Sequence, residues 1–476
     1  MKLPNRVTLG LVFAAALGGG CALFAPKPAW LQPPPPIYDG PIVEAGKLHR
    51  TTLENGLHVI VLEDFRLPRV ALGVAVRRGA ASDPIERAGL ATYTAEVMER
   101  GAGDRDAFAF AQAVDDIGAS FDVSADWDSM SVTLSGLSRD FDTLFSLLRD
   151  VTLKPRFDKA EAERARAEQL AGLESQKDDP SALARIHFAK LLYPEHRFGR
   201  PLAGTPEAVS GFDAAAAREV HRQNFAASNA ILFVAGDVHA DDFFSRAREA
   251  FGAWPAGEAP PLPPPPPAIV PGERRIVIVD RPELGQAQIV LGHEGIARTT
   301  PTRFSDTLMN NVLGGGGFSS RLMASVRAEA GLTYSVSSGF SVRRAPGPFA
   351  VSTFTRVPES RRVIDLVLQQ LEHMKQDPPS ESELRDAKSE TAGGFALGFE
   401  TSEAIVAALV SIDVQGLPEN ALDTYRASIR AVTTADTAAS ARDRLHPERA
   451  GIVIVGPGAT LAPALESLGQ VSVEKP

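Results

Sequence analysis

The residues that most invite a chemical interpretation are four consecutive glycines at positions 314–317, in the stretch LGGGGFSSRLMASVRAEAGLTYSV. Glycine-rich loops in front of helices often bind phosphate through bare backbone N–H groups. A Walker-type loop also needs a Lys followed by Ser or Thr, whereas Phe318 and a serine pair follow here. A Rossmann loop needs a preceding strand, and residues 304–313 have a helical pattern. The sequence therefore predicts no phosphate site at these glycines.

Histidine spacing predicts no zinc site either. The chain has nine histidines, and no two of them are three, four or five positions apart. No helical turn would therefore present a histidine pair to a metal. His293 and Glu294 begin like the motif His-Glu-x-x-His, but Ala297 stands where the second histidine belongs, at the end of a strand pattern. We interpret His293 as a strand-terminal histidine held by a hydrogen bond.

The elements that must position any site occur twice along the chain. A proline-rich segment, residues 258–272, is predicted to link a first domain at 46–257 to a second at 273–476. Each domain opens with two strand patterns, which we expect to pair, and closes with a buried strand, NAILFVAGDV in the first and RAGIVIVGPG in the second. Long helical patterns separate the strand clusters. This organisation predicts an α+β fold of two homologous halves, each with antiparallel-rich sheets packed with helices.

The charge and length of the chain exclude some classes of partner. A length of 476 residues suggests at least two domains. Lys+Arg 49 against Asp+Glu 59 gives a net charge of -10. Because phosphate binding needs a basic face, nucleic acid is not an expected partner.

The N-terminus is typical of an export signal. Lys2 and Arg6 are followed by an apolar stretch at 7–17, which is too short to cross a bilayer, and then by three glycines and Cys21, the only cysteine. Residues 1–21 resemble a bacterial lipoprotein signal, in which Cys21 would be acylated; an ordinary cleaved signal is the alternative. Residues 22–45 form a predicted proline-rich tether. The expected location is the periplasmic side of a bacterial cell envelope, with a lipid anchor as the only membrane attachment.

Several segments resemble the insulinase/pitrilysin family of zinc peptidases, the inverzincins. LENGLHVIVLED at 53–64 resembles the opening strand of that family, and LLYPEHRFGRPLAGTPEAV at 191–209 resembles its Tyr-Pro-x-His segment. NAILFVAGDV resembles the family's domain-closing strand, and GGGGFSSRLMASVRAEAGLTYSVSSGF resembles the signature of its second half. The resemblance implies that the two halves form a clamshell chamber, alone or with a partner chain.

The family's zinc motif is degenerate in this sequence. In the family, His-x-x-Glu-His lies on a helix of the first half, with two zinc ligands and a general base. In the matching stretch GLATYTAEVMERGA, Thr92 and Glu96 stand at the histidine positions and Ala95 at the glutamate position. The third family ligand, a glutamate of a later helix, would fall at Glu163 or Ala165. The resemblance thus implies no metal, no cofactor and no catalytic residue in this chain alone.

The second half keeps the family's substrate-binding pair. Family members carry an Arg and a Tyr seven positions apart that bind the substrate backbone, and Arg327 and Tyr334 match them in VRAEAGLTYSV. We expect Gly331 to end the helix of Arg327 in a left-handed conformation and Tyr334 to begin the next strand. The glycines at 314–317 resemble the family's loop before the substrate-facing helix. Their bare backbone would let a peptide or a partner chain approach, and a flexible connector is the alternative.

The lost and kept motifs together imply a subunit with half of an active site. The chain would be the non-zinc-binding, substrate-binding subunit of a heteromeric metalloendopeptidase that acts on peptides in the cell envelope. A homologous partner chain with His-x-x-Glu-His would supply the zinc. The alternative is a non-enzymatic envelope scaffold or peptide-binding protein derived from the same fold.

Overall fold

The computed structural model describes residues 40–258, 261–262, 264–267, 272 and 274–476. The predicted signal at 1–21, with Cys21, lies outside the described residues, and so does most of the predicted tether. The predicted linker at 258–272 is described only in part. The boundaries of both predicted domains stay predictions.

The first half of the chain builds a six-stranded sheet in the order β1-β2-β6-β3-β5-β4. Its central strand, β6, is buried along its whole length and pairs parallel with β2 and antiparallel with β3. The expectation that the two opening strands, β2 and β3, pair with each other was wrong, because β6 lies between them. The apolar β6 thereby has a paired strand on both of its edges. The strands are β1 (Leu48–Thr52), β2 (His58–Glu63), β3 (Arg69–Val76), β4 (Ser120–Ala125), β5 (Met130–Leu137) and β6 (Ala230–Gly236).

The second half repeats this sheet in the order β12-β7-β11-β8-β10-β9. Its closing strand β11 again lies between the two opening strands, β7 and β8. Only the sixth strand differs, since β1 runs antiparallel to β2 whereas β12 runs parallel to β7. The strands are β7 (Arg275–Asp280), β8 (Gln286–Glu294), β9 (Val336–Phe340), β10 (Pro348–Arg356), β11 (Gly451–Gly456) and β12 (Gln470–Glu474). The predicted α+β fold of two homologous, mainly antiparallel halves is confirmed.

Helices cover both sheets in a similar order. Those of the first half are α1 (Leu90–Met98), α2 (Ala107–Asp115), α3 (Phe141–Leu153), α4 (Lys159–Ser175), α5 (Pro180–Leu192), α6 (Pro206–Val209), α7 (Ala214–Asn224) and α8 (Ala240–Phe251). Those of the second half are α9 (Arg303–Asn310), α10 (Ser360–Gln376), α11 (Glu381–Gly394), α12 (Ser402–Val414), α13 (Ala421–Ala431), α14 (Thr434–Arg444) and α15 (Gly458–Leu465). Two π-helical segments, Asn311–Gly315 and Met323–Glu329, follow α9.

The two halves exchange one helix each. Helix α12 of the second half packs its apolar side on the first sheet, where Leu409 contacts a cluster that contains Ile60 and Phe233. Helix α5 of the first half packs on the second sheet in the same way, with Leu183 in a cluster that contains Val453. Each sheet therefore buries one of its faces with a helix of the other half, and residues Gly40–Pro476 form one compact unit.

Within the described residues, no single helix is long and apolar enough to span a membrane; Glu381–Phe399 together with Ser402–Val414, bent by 112°, would be so by length and composition alone.

Candidate functional site

Arg327 lies in the π-helical segment Met323–Glu329, and Gly331 ends this segment as predicted. Gly331 has a φ of +65°, a left-handed conformation that glycine adopts without strain. Its N–H donates to the carbonyl oxygen of Arg327 at 3.1 Å. The guanidinium is thus carried by a helical turn whose end is fixed by the backbone.

Tyr334 does not begin the next strand, as the sequence had suggested, because β9 starts two residues later, at Val336. The segment before β9 is held by side-chain hydrogen bonds from β10 and not by backbone hydrogen bonds of a strand pair. Thr355 Oγ1 donates to the carbonyl of Leu332 at 2.7 Å, and Thr353 Oγ1 donates to that of Ser335 at 2.9 Å. Tyr334 therefore projects from an extended segment that leads into an edge strand.

The structure brings Arg327 and Tyr334 together and adds Phe318, which the sequence analysis did not single out. The guanidinium carbon of Arg327 lies 4.5 Å from the centroid of the Phe318 ring and 4.6 Å from that of the Tyr334 ring. Phe318 is 76% exposed and Tyr334 is 72% exposed. Each cation–π contact contributes roughly 0.5–1 kcal/mol at an exposed site. We call these three residues the aromatic–arginine cluster.

The guanidinium of this cluster keeps its hydrogen-bonding capacity. Among the described residues, Arg327 makes ring contacts but no side-chain hydrogen bond or ion pair. An arginine has five N–H donors, and stacking on rings leaves them in the plane of the guanidinium, directed away from the ring faces. The cluster can therefore donate to a carbonyl or carboxylate of a bound molecule while its rings contact apolar groups.

Three of the four glycines in the 314–317 loop are close-packing positions. Gly314 and Gly316 are buried and Gly315 is exposed. At each of these three, an added Cβ would lie 2.5 to 2.8 Å from its nearest neighbouring atom, which for Gly314 is Ser338 Oγ. These distances exclude any side chain without a shift of the neighbours. This close packing does not fit a flexible connector. Only Gly315 and Gly317 are exposed, so only their backbone is accessible to a peptide.

Gly317 has a different role. Its φ is +59° and no atom lies within 4 Å of an added Cβ, so conformation rather than space requires glycine there. It starts a short 3₁₀ turn, Gly317–Ser319, that carries Phe318. The loop thus places Phe318 against Arg327. The spacing of Phe318 and Arg327 fits neither a helical nor a strand period, so it does not predict their contact. The only signal for it in the sequence was an apolar residue directly after the glycine loop.

The degenerate zinc positions lie on α1, and Glu96 is the only one of the three whose side chain commonly binds zinc. Thr92 Oγ1 donates to the carbonyl of Leu202 at 3.2 Å, within the segment that resembles the family's Tyr-Pro-x-His region. Ala95 is 2% exposed, whereas the side chain of the next residue, Glu96, is partly exposed. No three His, Cys, Asp or Glu side chains in the described part of the chain are placed to hold a metal ion.

A guanidinium lies among the carboxylates of this region. Arg100 Nη2 is 2.6 Å from Glu168 Oε2, and the carboxylates of Glu161 and Glu96 each lie 3.8 Å from the guanidinium. The Nε–H of Arg100 also donates to the backbone carbonyl of Glu96 at 3.2 Å. Its side chain is only 17% exposed. Arg100 is the nearest cation to Glu168, whereas Glu161 is bound more closely by Arg164, at 3.0 Å on the same helix.

Neither position considered for the third zinc ligand is suitable. Glu163 is 54% exposed and lies 3.9 Å from Lys159, on the outer side of α4. Ala165 is 1% exposed and belongs to the apolar core. The alternating Ala, Glu and Arg of EAERARAEQ fit several registers, so the sequence could not show that Glu161 and Glu168 are the carboxylates near α1.

A buried ion pair fixes the start of α1. The carboxylate of Asp83 accepts from the backbone N–H groups of Gly89 and Ala91, both at 3.1 Å, and lies 3.3 Å from Arg197 Nη2. Both side chains are about 5% exposed or less. Burial raises the pKa of Asp83 to about 6, although Arg197 and the backbone N–H groups oppose this shift. The sequence analysis missed the pair, whose members are far apart in the chain.

His293 makes the hydrogen bonds of a structural histidine, as its sequence context indicated. It lies in β8, where its Nδ1–H donates to the backbone carbonyl of Glu294 at 2.7 Å and its Nε2 accepts from the N–H of His446 at 3.1 Å. Burial lowers the pKa of His293 to about 4. The ring is therefore neutral at physiological pH, with both nitrogens engaged.

The proteins similar to this chain include some described as proteases and some described as inactive. The chain is 26% identical over 416 residues to an uncharacterized zinc protease of Streptomyces coelicolor, covering 87% of this chain and 90% of the relative. It is 22% identical over 372 residues to a non-peptidase homolog of Helicobacter pylori, covering 78% and 85%. Its structure is similar to that of a peptidase M16 inactive domain from Pseudomonas fluorescens, with a TM-score of 0.80, 29% identity and coverage of 86% of this chain and 98% of that one.

Two family descriptions together match most of the chain. Residues 59–206 match the domain described as insulinase (peptidase family M16). Residues 211–391 match the peptidase M16 inactive domain. The duplicated α+β halves, the degenerate motif on α1 and these matches agree. The chain belongs to the insulinase family, peptidase family M16, as a member that lacks the zinc motif.

Proposed function

We propose that this chain is the substrate-binding subunit of a heteromeric insulinase-family metallopeptidase that acts on peptides in the cell envelope. The aromatic–arginine cluster carries the proposal. Phe318 and Tyr334 are among the most exposed large apolar residues of the described chain. Exposed aromatic rings around an arginine are typical of surfaces that bind other molecules, because such residues dominate the binding energy of interfaces.

The geometry around the cluster suits an extended peptide. Strand β9, which follows Tyr334, is the last strand of the second sheet, so one of its edges has no strand partner among the described residues. An edge strand of this kind can add a peptide as a further strand. Arg327 would then donate to a peptide carbonyl near the start of β9, and the phenol of Tyr334 would donate to a neighbouring one.

A partner chain would supply what this chain lacks. The positions of the zinc motif hold Thr92, Ala95 and Glu96, and the carboxylates near them bind Arg100. A homologous chain with His-x-x-Glu-His would provide the zinc ion, the general base and the attacking water. Acylation at Cys21 would hold this chain at the periplasmic side of the membrane. The rival function, a non-enzymatic envelope scaffold, needs no exposed donor at Arg327.

The test is capture of the chain from its native cell envelope, followed by activity measurements on the captured pair. We expect a stoichiometric partner of similar size that carries His-x-x-Glu-His. Loss of a charged hydrogen bond costs about 1.5–3 kcal/mol, so Arg327→Ala is expected to lower kcat/KM of the pair about 10- to 100-fold without separating the chains. Tyr334→Phe is expected to have a smaller effect.

The matched control is Arg385→Ala, which removes an arginine whose side chain is 73% exposed. Its kcat/KM is expected to equal that of the unaltered pair. If the captured proteins include no chain with the zinc motif, or if Arg327→Ala and Arg385→Ala behave alike, the shared active site is refuted and the scaffold is the better interpretation.

A further inference from the structure

A concave site lies between the two halves, and no residue of the aromatic–arginine cluster lines it. It is a cavity of about 340 Å³ near the connection of β4 to β5 and the connection of β9 to β10. Its lining includes Arg78, Trp127, Asp128, Phe198 and Arg344. A volume of this size lies at the lower end of the range for small-ligand sites, roughly 300–1,000 Å³. We call it the inter-half pocket.

Arg78 is a buried cation in this pocket without an anionic partner. Its exposed fraction is 4%. Its only side-chain hydrogen bond among the described residues is from Nη1 to the hydroxyl of Ser82, at 3.2 Å, and no described carboxylate lies within ion-pair distance. Burial lowers the pKa of Arg78, and the nearby charge of Arg344 adds to this effect. A buried charge that is not paired is costly, so the pocket as it stands favours an anion.

The other charges around the pocket do not neutralise Arg78. Arg77 is already paired, with Nε 2.7 Å from Asp413 Oδ1. Arg344 donates its guanidinium N–H groups to the carbonyls of Arg77 and Val414, which carry no charge. Asp128 is the only carboxylate in the described lining, and it accepts from the backbone N–H of Arg344 at 2.8 Å. With Arg77 paired, two guanidinium groups, those of Arg78 and Arg344, face the single carboxylate of Asp128, in a chain whose net charge is -10.

Apolar rings form the rest of the wall. Trp127 and Phe198 meet edge to face with centroids 5.1 Å apart, and the guanidinium of Arg343 lies 4.1 Å and 4.5 Å from their centroids. Pro264 of the proline-rich segment also lines the pocket, and its carbonyl lies 3.2 Å from His196 Nε2. The site thus combines an unpaired cation with a largely apolar surface.

We propose that the inter-half pocket binds a carboxylate attached to an apolar group, and that its ligand is the C-terminal residue of a peptide. The position favours a peptide over a free organic acid. The two connections beside the pocket lead to β4 and β9, which are the edge strands of their sheets. The pocket lies just beyond the C-terminal ends of β4 and β9, so a peptide that adds parallel to either strand has its C-terminal residue close to the pocket. This inference concerns binding by the chain alone and does not depend on the proposed partner.

Isothermal titration of the full chain with a peptide acid and its amide tests the proposal. The probes are N-acetyl-Leu-Leu-Phe with a free carboxylate, the same peptide as its carboxamide, and octanoate. We expect the peptide acid to bind at least about 10-fold more tightly than the carboxamide, since a hydrogen bond to a charged group is lost in the latter. Octanoate is expected to bind more weakly than the peptide acid.

Two variants connect the preference to the pocket. Arg78→Gln and Arg344→Gln are each expected to reduce the preference for the acid to about 3-fold or less, and the control Arg385→Gln is expected to keep it. Arg78→Gln removes an unpaired buried charge, so it should remain folded; circular dichroism checks this. Equal binding of acid and carboxamide, or a preference unchanged in Arg78→Gln, would overturn the site. Octanoate binding as tight as the peptide acid would overturn the peptide assignment.

Discussion

The exchange of helices between the halves makes a quantitative prediction about folding. Leu409 of α12 is 3% exposed and packs on the first sheet, although it belongs to the second half of the sequence. Leu409→Ala deletes three carbon atoms, which costs roughly 2–3 kcal/mol in lost transfer energy at about 0.8 kcal/mol per buried carbon. The residual cavity adds to this cost, so the expected decrease in the free energy of unfolding is about 3–4 kcal/mol, within the usual range for buried leucines.

The position of the damage distinguishes this prediction from ordinary core destabilisation. Because α12 covers the face of the first sheet that contains Ile60 and Phe233, hydrogen exchange of β2 and β6 should accelerate in Leu409→Ala. Leu183→Ala in α5, a helix of the first half, should instead accelerate hydrogen exchange in the second sheet, in β7 and β11. Equilibrium unfolding in urea gives the total free energy, and hydrogen exchange with mass spectrometry gives its location.

The matched control is Leu397→Ala, since Leu397 lies close to α12 in sequence but is 71% exposed. It should change the free energy of unfolding by less than about 0.5 kcal/mol. The reasoning is refuted if Leu409→Ala accelerates exchange only in the second half and leaves β2 and β6 as protected as before.

Other predictions concern the ion pairs and the degenerate zinc site. Asp83→Asn keeps the size of the side chain but has one acceptor oxygen instead of two, so it leaves the backbone N–H of Gly89 or Ala91 unpaired and should lower the free energy of unfolding by about 1–3 kcal/mol at pH 7 in urea titrations. The pKa of Asp83 is about 6 in the fold and 3.8 as its ordinary value, so its favourable contribution is present below pH 3.8 and is lost as the pH rises through about 6. The stability of the unaltered chain should therefore fall more steeply across this window than that of Asp83→Asn. Arg321 binds Glu383 through two contacts of 2.8 Å and holds the pKa of that carboxyl at about 2, so Arg321→Ala should cost about 1–2 kcal/mol at neutral pH and raise this pKa in NMR titrations. Zinc added to the isolated chain should give no cleavage of unfolded peptides in a fluorescence assay, and measurable cleavage would contradict the assignment of the degenerate motif.

Local patterns in the sequence were sufficient to predict several elements of the fold. The strand pattern HVIVLE corresponds to β2, and the predicted closing strand NAILFVAGDV contains β6. Gly331 was predicted to be left-handed because a helix must end before an extended segment, and its φ is +65°. These features depend on neighbours within a few positions, which a single sequence displays directly.

Features that depend on distant parts of the chain could not be read in this way. The insertion of β6 between β2 and β3 brings together segments more than a hundred residues apart, and nothing in the pattern of AILFVAG specifies its neighbours. The packing of α12 on the first sheet is of the same kind, because an apolar helix face indicates burial but not against which sheet. Phe318 was missed because its contact with Arg327 is made by a loop conformation, not by a helical or strand period.

The replacement of zinc in this chain involves more than the three motif positions. Glu161 and Glu168 lie on α4 and each has a cationic partner, Arg164 at 3.0 Å from Glu161 and Arg100 at 2.6 Å from Glu168. Arg100 also lies 3.8 Å from the carboxylates of Glu161 and Glu96, so its guanidinium lowers the repulsion among the carboxylates beside α1. Histidines introduced at positions 92 and 96 would therefore meet carboxylates that a guanidinium already binds, and zinc affinity should need the removal of Arg100 as well. The first half thus has internal ion pairs beside the degenerate positions, whereas the exposed guanidinium of the aromatic–arginine cluster is in the second half.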